Sequence, residues 1–241
     1  MWKFDEFDEC GKKYAAGVYL IYKKCKMKKI IPCLFLFVML VGSYIYLPAQ
    51  ATAKYNLAQL LQQQKFMIAP GRQPALLADS QKNAITTHGI IWLKDVNFKE
   101  GAIEIDLRGK DIFLQSFLGI AFHAKDTVNY EVIYFRPFNF RHADTLRRKW
   151  SVQYMVLPNY DYSKLRAEHP LQYENAVTPV PKADEWFHAT IVVRGDQVTV
   201  YVNHSKTPSL KVTKLTTNNN GMIGLWDSGI TGDFANLEIS N

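Results

Sequence analysis

Glu104-Ile105-Asp106 puts two carboxylates two residues apart on one stretch of chain. Retaining glycosidases use such pairs when the carboxyl groups stand about 5 Å apart across a sugar. Here Ile103, Ile105 and Leu107 alternate with the acids and claim the buried face. The acids are therefore expected in solvent, as structural charge on a one-face-wet strand. The run Arg136-Pro137-Phe138-Asn139-Phe140-Arg141-His142 is a stronger candidate. A sugar presents a flat C–H face and a rim of hydroxyls; aromatic rings fit the first, and Asn and Arg fit the second. Arg141, Arg147, Arg148 and Lys149, opposed only by Asp144, would also favour a carboxylated or sulfated sugar, because guanidinium groups grip oxyanions bidentately. Arg136, Asn139 and Arg141 are the expected ligand contacts from this loop; alanine at Arg136 or Asn139 is expected to abolish binding without lowering the melting temperature.

Tyr134, Gln153 and Tyr154 are expected to join them, with His123 on the same face, although buried hydrogen-bonded polar groups leave the same trace in sequence. Trp226 offers a stacking surface and is read as a ligand contact, a core position being the alternative. Asp227 and His123 are the candidate catalytic residues, for acid/base work. His188, beside Trp186, reads as structural. No His/Cys/Asp/Glu spacing matches a zinc motif, so no metal ligand is assigned. Calcium stays open through loop acids such as Asp227 and Asp233; otherwise no cofactor is expected. There is no G-x-S-x-G, phosphate loop or dinucleotide fingerprint.

The elements that must position these residues read as strands. Thr190 to Arg194, the Gly195-Asp196 turn, and Val198, Val200 and Val202 alternating with Thr199, Tyr201 and Asn203 form a hairpin. Further strands are expected at 84–93 (one long or a pair), 103–108, 117–123, 130–135, 151–157, 221–226 and 233–239. Ser163 to His169 is the best helix after residue 65, and Leu57, Leu60 and Leu61 mark a short one before it. The connections 136–149 and 158–185 exceed the usual length of structureless loops, which points to function. The pattern predicts an all-β, antiparallel sandwich of jelly-roll type, in one domain.

The front of the chain reads differently. Met27-Lys28-Lys29 precedes the apolar run Ile30 to Leu47, and Ala49-Gln50-Ala51 supplies small residues for a cut after Ala51. Residues 27–51 are expected to be a signal peptide, with an uncleaved membrane anchor as the alternative. Residues 1–26 read as an over-extended start or a cytoplasmic tail, residues 52–74 as a lead-in segment lying across the sandwich, and 75–241 as the sandwich. Of the 29 Lys+Arg and 22 Asp+Glu, 8 and 4 fall in residues 1–51, leaving 21 and 18, a net +3 for the remainder. That modest charge argues against nucleic acid as a partner. All three cysteines, Cys10, Cys25 and Cys33, precede the cut, so the remainder has neither disulfides nor thiolate metal sites. A sandwich of 190 residues can hold a core without them.

With the strands placed, residues of about 75–240 resemble the concanavalin A-like lectin/glucanase superfamily. More narrowly the chain is similar to bacterial secreted domains described as 3-keto-disaccharide hydrolase-like or family 16 glycoside hydrolase-like. The carriers are 93–107, Gly119-Ile120-Ala121-Phe122-His123, Tyr134 to Phe140, Val152-Gln153-Tyr154, Trp186-Phe187-His188-Ala189, Val200 to Asn203, Gly224-Leu225-Trp226 and Gly232 to Leu237. The family 16 motif carries a further glutamate where Arg108 stands here. The resemblance implies a LamG-like sandwich that binds or hydrolyses glycans, although a shared fold does not establish shared chemistry. The expectation is an exported bacterial protein, periplasmic or extracellular, that recognises carbohydrate on its concave face. The alternatives are a glycoside hydrolase acting on an oligosaccharide and a non-catalytic structural or protein-interaction module. The last predicts a flat, apolar, site-free face with Arg136 and Arg141 tied up in internal salt bridges.

Overall fold

The computed structural model describes residues 51–78 and 82–240. The expectations for 1–26 and for the signal run up to Gln50, with the three cysteines, lie outside them. In chain order the elements are β1 (Thr52–Tyr55), α1 (Leu57–Gln62), β2 (Phe66–Ile68), β3 (Ala75–Leu76), β4 (Ile85–Thr87), β5 (Ile91–Phe98), β6 (Gly101–Arg108), β7 (Ser116–Ala124) and β8 (Tyr130–Phe135). There follow a 3-10 turn (Pro137–Asn139), α2 (Thr145–Arg148), β9 (Val152–Leu157), α3 (Tyr162–Glu168), β10 (Glu174–Asn175), β11 (Phe187–Arg194), β12 (Gln197–Val202), β13 (Leu210–Thr213), β14 (Gly221–Gly229) and β15 (Gly232–Ser240). None of the helices described is long and apolar enough to cross a membrane.

The strands form two antiparallel sheets. One runs β13-β12-β11-β6-β15-β4-β3, with β1 also on β15, and has eight strands; the other runs β10-β9-β8-β7-β14-β5-β2 and has seven. Alternation decides which faces meet. In β6, Ile103, Ile105 and Leu107 are buried while Glu104, Asp106 and Arg108 are half-exposed, as the sequence predicts. Their partners on β11, Ile191, Ala189 and Phe187, are also fully covered, and Val198, Val200 and Val202 continue the layer on β12. From the seven-stranded sheet Leu118, Ile120, Ile133, Phe135, Val152 and Leu225 complete one contiguous core. Burial of this order, at about 25 cal/mol per Å² of apolar surface, is what holds a fold without disulfides.

Two departures from the sequence reading matter. The lead-in segment does not merely cross the sandwich: β1 joins one sheet at β15 and β2 joins the other at β5. The second is in the connection 136–149, which holds the 3-10 turn and α2; α3, in 158–185, is the helix expected at Ser163 to His169. Asp144 and Asp161 cap α2 and α3 by accepting from the backbone N–H groups of Leu146 and Lys164, both at 2.8 Å.

Candidate functional site

The outer face of the seven-stranded sheet carries a row of side chains fixed by register. Glu174 lies opposite Gln153, Gln153 opposite Tyr134, Tyr134 opposite Gly119, and Gly119 opposite Trp226. Residues directly opposite share a face, so β10, β9, β8, β7 and β14 present this row together. Gly119 leaves a gap, across which the Tyr134 and Trp226 rings approach to 5.1 Å. Phe117, two residues along β7, lies 6.3 Å from Tyr134. Trp226 Nε1 donates to Tyr130 Oη at 3.3 Å, and Tyr130 meets Trp92 edge-on. The result is a chain of ring contacts, largely buried at Trp92, Tyr130 and Tyr134 and partly open at Phe117 and Trp226.

A pocket of about 430 Å³ opens on it. Phe117, Tyr134, Met155, Trp226 and Ser228 line it, together with the exposed Leu114 and Tyr162 and with Arg136 and Arg166. Burial, above all, pushes the Tyr134 hydroxyl up to about 12. The two arginines are anchored on Glu174, which is almost wholly buried. Arg166 donates to both its oxygens, at 3.0 and 2.7 Å, and lies 4.2 Å above the Trp150 ring. Arg136 Nη1 is 3.7 Å from the same carboxylate.

Of the residues predicted to touch a ligand, Tyr134, Arg136 and Trp226 do line this pocket. Gln153 sits behind them, its Oε1 accepting from Tyr134 Oη at 2.7 Å and from Arg136. Arg136 is a wall more than a probe. It donates to the Trp150 carbonyl at 2.7 Å and to Tyr134 and Gln153 besides, and is 5% exposed. Its removal is therefore expected to destabilise the fold, contrary to the expectation of an unchanged melting temperature. Asn139 is buried in the 3-10 turn, 3.4 Å from the Trp150 carbonyl, and is not among the pocket residues. Arg141 donates to the carbonyls of Pro181 and Val180 and borders a separate depression with Asp111 and Lys182. The expected Arg-rich binding loop is thus an internally tied one: Arg148 also bonds backbone carbonyls, and Arg147 covers the Phe113 ring.

Tyr154 and His123 turn the other way. Tyr154 alternates with the outward pair Gln153 and Met155, and its hydroxyl donates to Glu131 Oε2 at 2.6 Å inside the core. His123 would face outward by alternation, since Phe122 pairs with the inward Glu131. Its left-handed backbone (φ 50°), beside a register shift in β14, rotates the ring inward. Nδ1 then lies 2.7 Å from Glu131 Oε1 and Nε2 2.8 Å from the Lys99 carbonyl, with Lys214 completing the cluster. A fully covered imidazole cannot reach a sugar, so the catalytic role expected of His123 is corrected to a structural one. Asp227 follows Trp226 on β14 and so points between the sheets, where its side chain is 1% exposed. Burial pushes its carboxyl up to about 8, against a weak bond from Gly89 N–H at 3.4 Å. It does not line the aromatic pocket, and its catalytic role there is corrected likewise.

Phe117, Met155, Tyr162 and Arg166 were not anticipated. Phe117 and Met155 are ordinary apolar strand residues in sequence. Arg166 sits on the predicted helix, but nothing local tells that α3 folds back over β9.

The family model for the 3-keto-alpha-glucoside-1,2-lyase-like domain matches residues 69–240. Among solved structures the chain is similar to the carbohydrate binding module CBM66 from Bacillus subtilis, with 15% identity, a TM-score of 0.50, and coverage of 73% of this chain and 96% of that one. A Bacillus subtilis protein with a galectin-like fold gives 10%, 0.52, 80% and 97%. Porphyranase B from Zobellia galactanivorans gives 12%, 0.46, 74% and 85%. No curated protein matches significantly in sequence. The likenesses to the binding module and the galectin-like protein are of fold alone: a jelly-roll β-sandwich. Because the family model spans most of the sandwich, the chain belongs to the 3-keto-alpha-glucoside-1,2-lyase-like domain family.

Proposed function

We propose that this protein recognises carbohydrate in the pocket on the outer face of its seven-stranded sheet, and that it does so as an exported protein. The observation that carries the reading is the aromatic lining of Trp226, Tyr134 and Phe117 together with Arg166 and Arg136. A pocket of about 430 Å³ falls in the range of small-ligand sites, which are mostly apolar with a few fixed polar groups. A pyranose would lay its C–H face on the rings and turn its hydroxyls to the arginines. Export is supported by the apolar run and small-residue site before Thr52.

The family description nominates α-glucosides, including those oxidised at C3, as the first sugars to test. A 1,2-lyase would remove the C2 proton and expel the group on C1, which needs a base at C2. Among the described residues that line the pocket there is neither a carboxylate nor a histidine, and the Tyr134 hydroxyl, held up to about 12, is a poor base at neutral pH. Binding is therefore the leading reading. Calorimetry of the purified protein with α-glucosides and their 3-keto forms tests it, with mass spectrometry of the same mixtures as a second readout. Saturable binding of intact sugar supports recognition. A sugar fragment one water lighter than the free sugar, released with the intact alcohol from C1, would make the protein a lyase instead, and no binding across the panel would remove the assignment.

A further inference from the structure

The outer face of the eight-stranded sheet holds a second cluster with a different chemistry. Asp106 on β6 lies opposite His188 on β11, and Glu104 is the next outward residue along β6. His204 reaches them from the turn after β12. Asn203 and His204 both adopt left-handed backbone (φ 48° and 55°), and Asn203 clamps the turn to β11: its N–H donates to the His188 carbonyl at 2.8 Å, and its Oδ1 accepts from the His188 N–H at 2.9 Å. The His204 ring then stacks on His188 at 4.1 Å.

We propose that Glu104, His188 and His204 form a binding site for a divalent transition metal of the zinc class. One ligand atom from each lies within 4.8 Å of the others. Around a tetrahedral zinc with bonds of 2.0–2.2 Å such atoms sit about 3.4 Å apart, and each imidazole holds a metal in its own ring plane, so the exposed His204 must swing out of its stack on His188 to close the set. His188 Nε2 is already 3.2 Å from Glu104 Oε2. The Nδ1 of His188 lies 2.9 Å from Asp106 Oδ1, which fixes the tautomer that turns Nε2 to the metal. Asp106 is in turn fully held, its other oxygen accepting from Lys82 at 2.7 Å and Asn236 at 2.8 Å. It is a positioning residue and not a ligand. Two imidazoles and one carboxylate suit zinc over magnesium or calcium, which prefer oxygen alone. Three protein ligands on an outer face leave a fourth position to water or an external group.

The test is zinc titration of the full chain after chelator treatment, with Co²⁺ as a spectroscopic stand-in. Cys10, Cys25 and Cys33 could bind zinc in the same chain, so the spectrum must identify the donors. We expect one Zn²⁺ per chain, a Co²⁺ spectrum without sulfur charge transfer, and at least tenfold weaker binding in both His204→Ala and Glu104→Gln. Asp106→Asn should weaken zinc about 10–100-fold while keeping the nitrogen/oxygen type of Co²⁺ spectrum. His204 is exposed, so its variant should keep the parent melting curve. Absence of zinc binding in the parent, binding unchanged in both ligand variants, or a thiolate spectrum indifferent to them would overturn the proposal.

Discussion

Trp226 and Asp227 are neighbours in sequence and opposites in environment. Trp226 faces the pocket and should carry much of the affinity there: Trp226→Ala is expected to weaken sugar binding by about tenfold or more, which is about 1.4 kcal/mol. Retained affinity in calorimetry would remove the stacking role. Asp227 instead shapes the response to pH. An aspartate in the unfolded chain titrates near 4; in the fold, burial above all holds this one up to about 8. From about pH 4 to about 8 the folded state therefore keeps a proton that the unfolded state has lost, so this contribution is complete at the acid end and disappears as pH rises through 8. Asp227→Asn stays neutral throughout. Its melting temperature should fall less between pH 5 and pH 8 than that of the parent, by about 4 °C or more; parallel profiles would contradict this. Period-2 alternation would have separated these two residues from sequence alone, since adjacent strand positions cannot share a face. His123 was beyond that rule, because its left-handed backbone breaks the alternation.

Elements succeed or fail as carriers of the site by how closely they approach. At Gly119 a Cβ would lie 2.0 Å from the Ile133 carbonyl oxygen and 2.6 Å from Tyr134 Cα, both backbone atoms of β8. Neither can move away cheaply. Gly119→Ala should cost about 1–3 kcal/mol, read from denaturant unfolding, and should weaken sugar binding too, because the Trp226–Tyr134 gap is set there. Wild-type stability would show that β7 and β8 can separate without cost. On α3, Arg166→Ala would leave the Glu174 carboxylate buried with a single guanidinium at 3.7 Å. A loss of about 3–5 kcal/mol is expected for one partner of such a buried pair, less what Arg136 recovers, measured by thermal melting. The strands of the sandwich were legible where alternation is strict, as in β6, β11 and β12. Short polar β1 and β10 were not, because two to four residues carry no period. Cross-strand sites such as Glu104, His188 and His204 were hidden for another reason: only the register of β6, β11 and the β12 turn brings them together.

At the scale of the molecule, the two sheets turn outward faces of unlike chemistry, one aromatic and arginine, the other imidazole and carboxylate. One contiguous apolar core lies between them. Sites so separated, with no shared partners, should act independently: sugar affinity measured with and without saturating Zn²⁺ is expected to agree within about twofold. A larger difference would mean that the sheets shift together. The fold class was readable from turn spacing and alternation. The position of the aromatic pocket was not, since it depends on α3 folding over β9 and on how the long loops tie down their own arginines. One further property follows from β1. Thr52 pairs with Ser240 at the edge of the sandwich, so the two ends of the described fold leave side by side. Tension applied between them would load the β1–β15 hydrogen bonds one after another, as in an opening zipper, and not all at once. The same adjacency would let the whole module be spliced into a surface loop of another protein without stretching either joint.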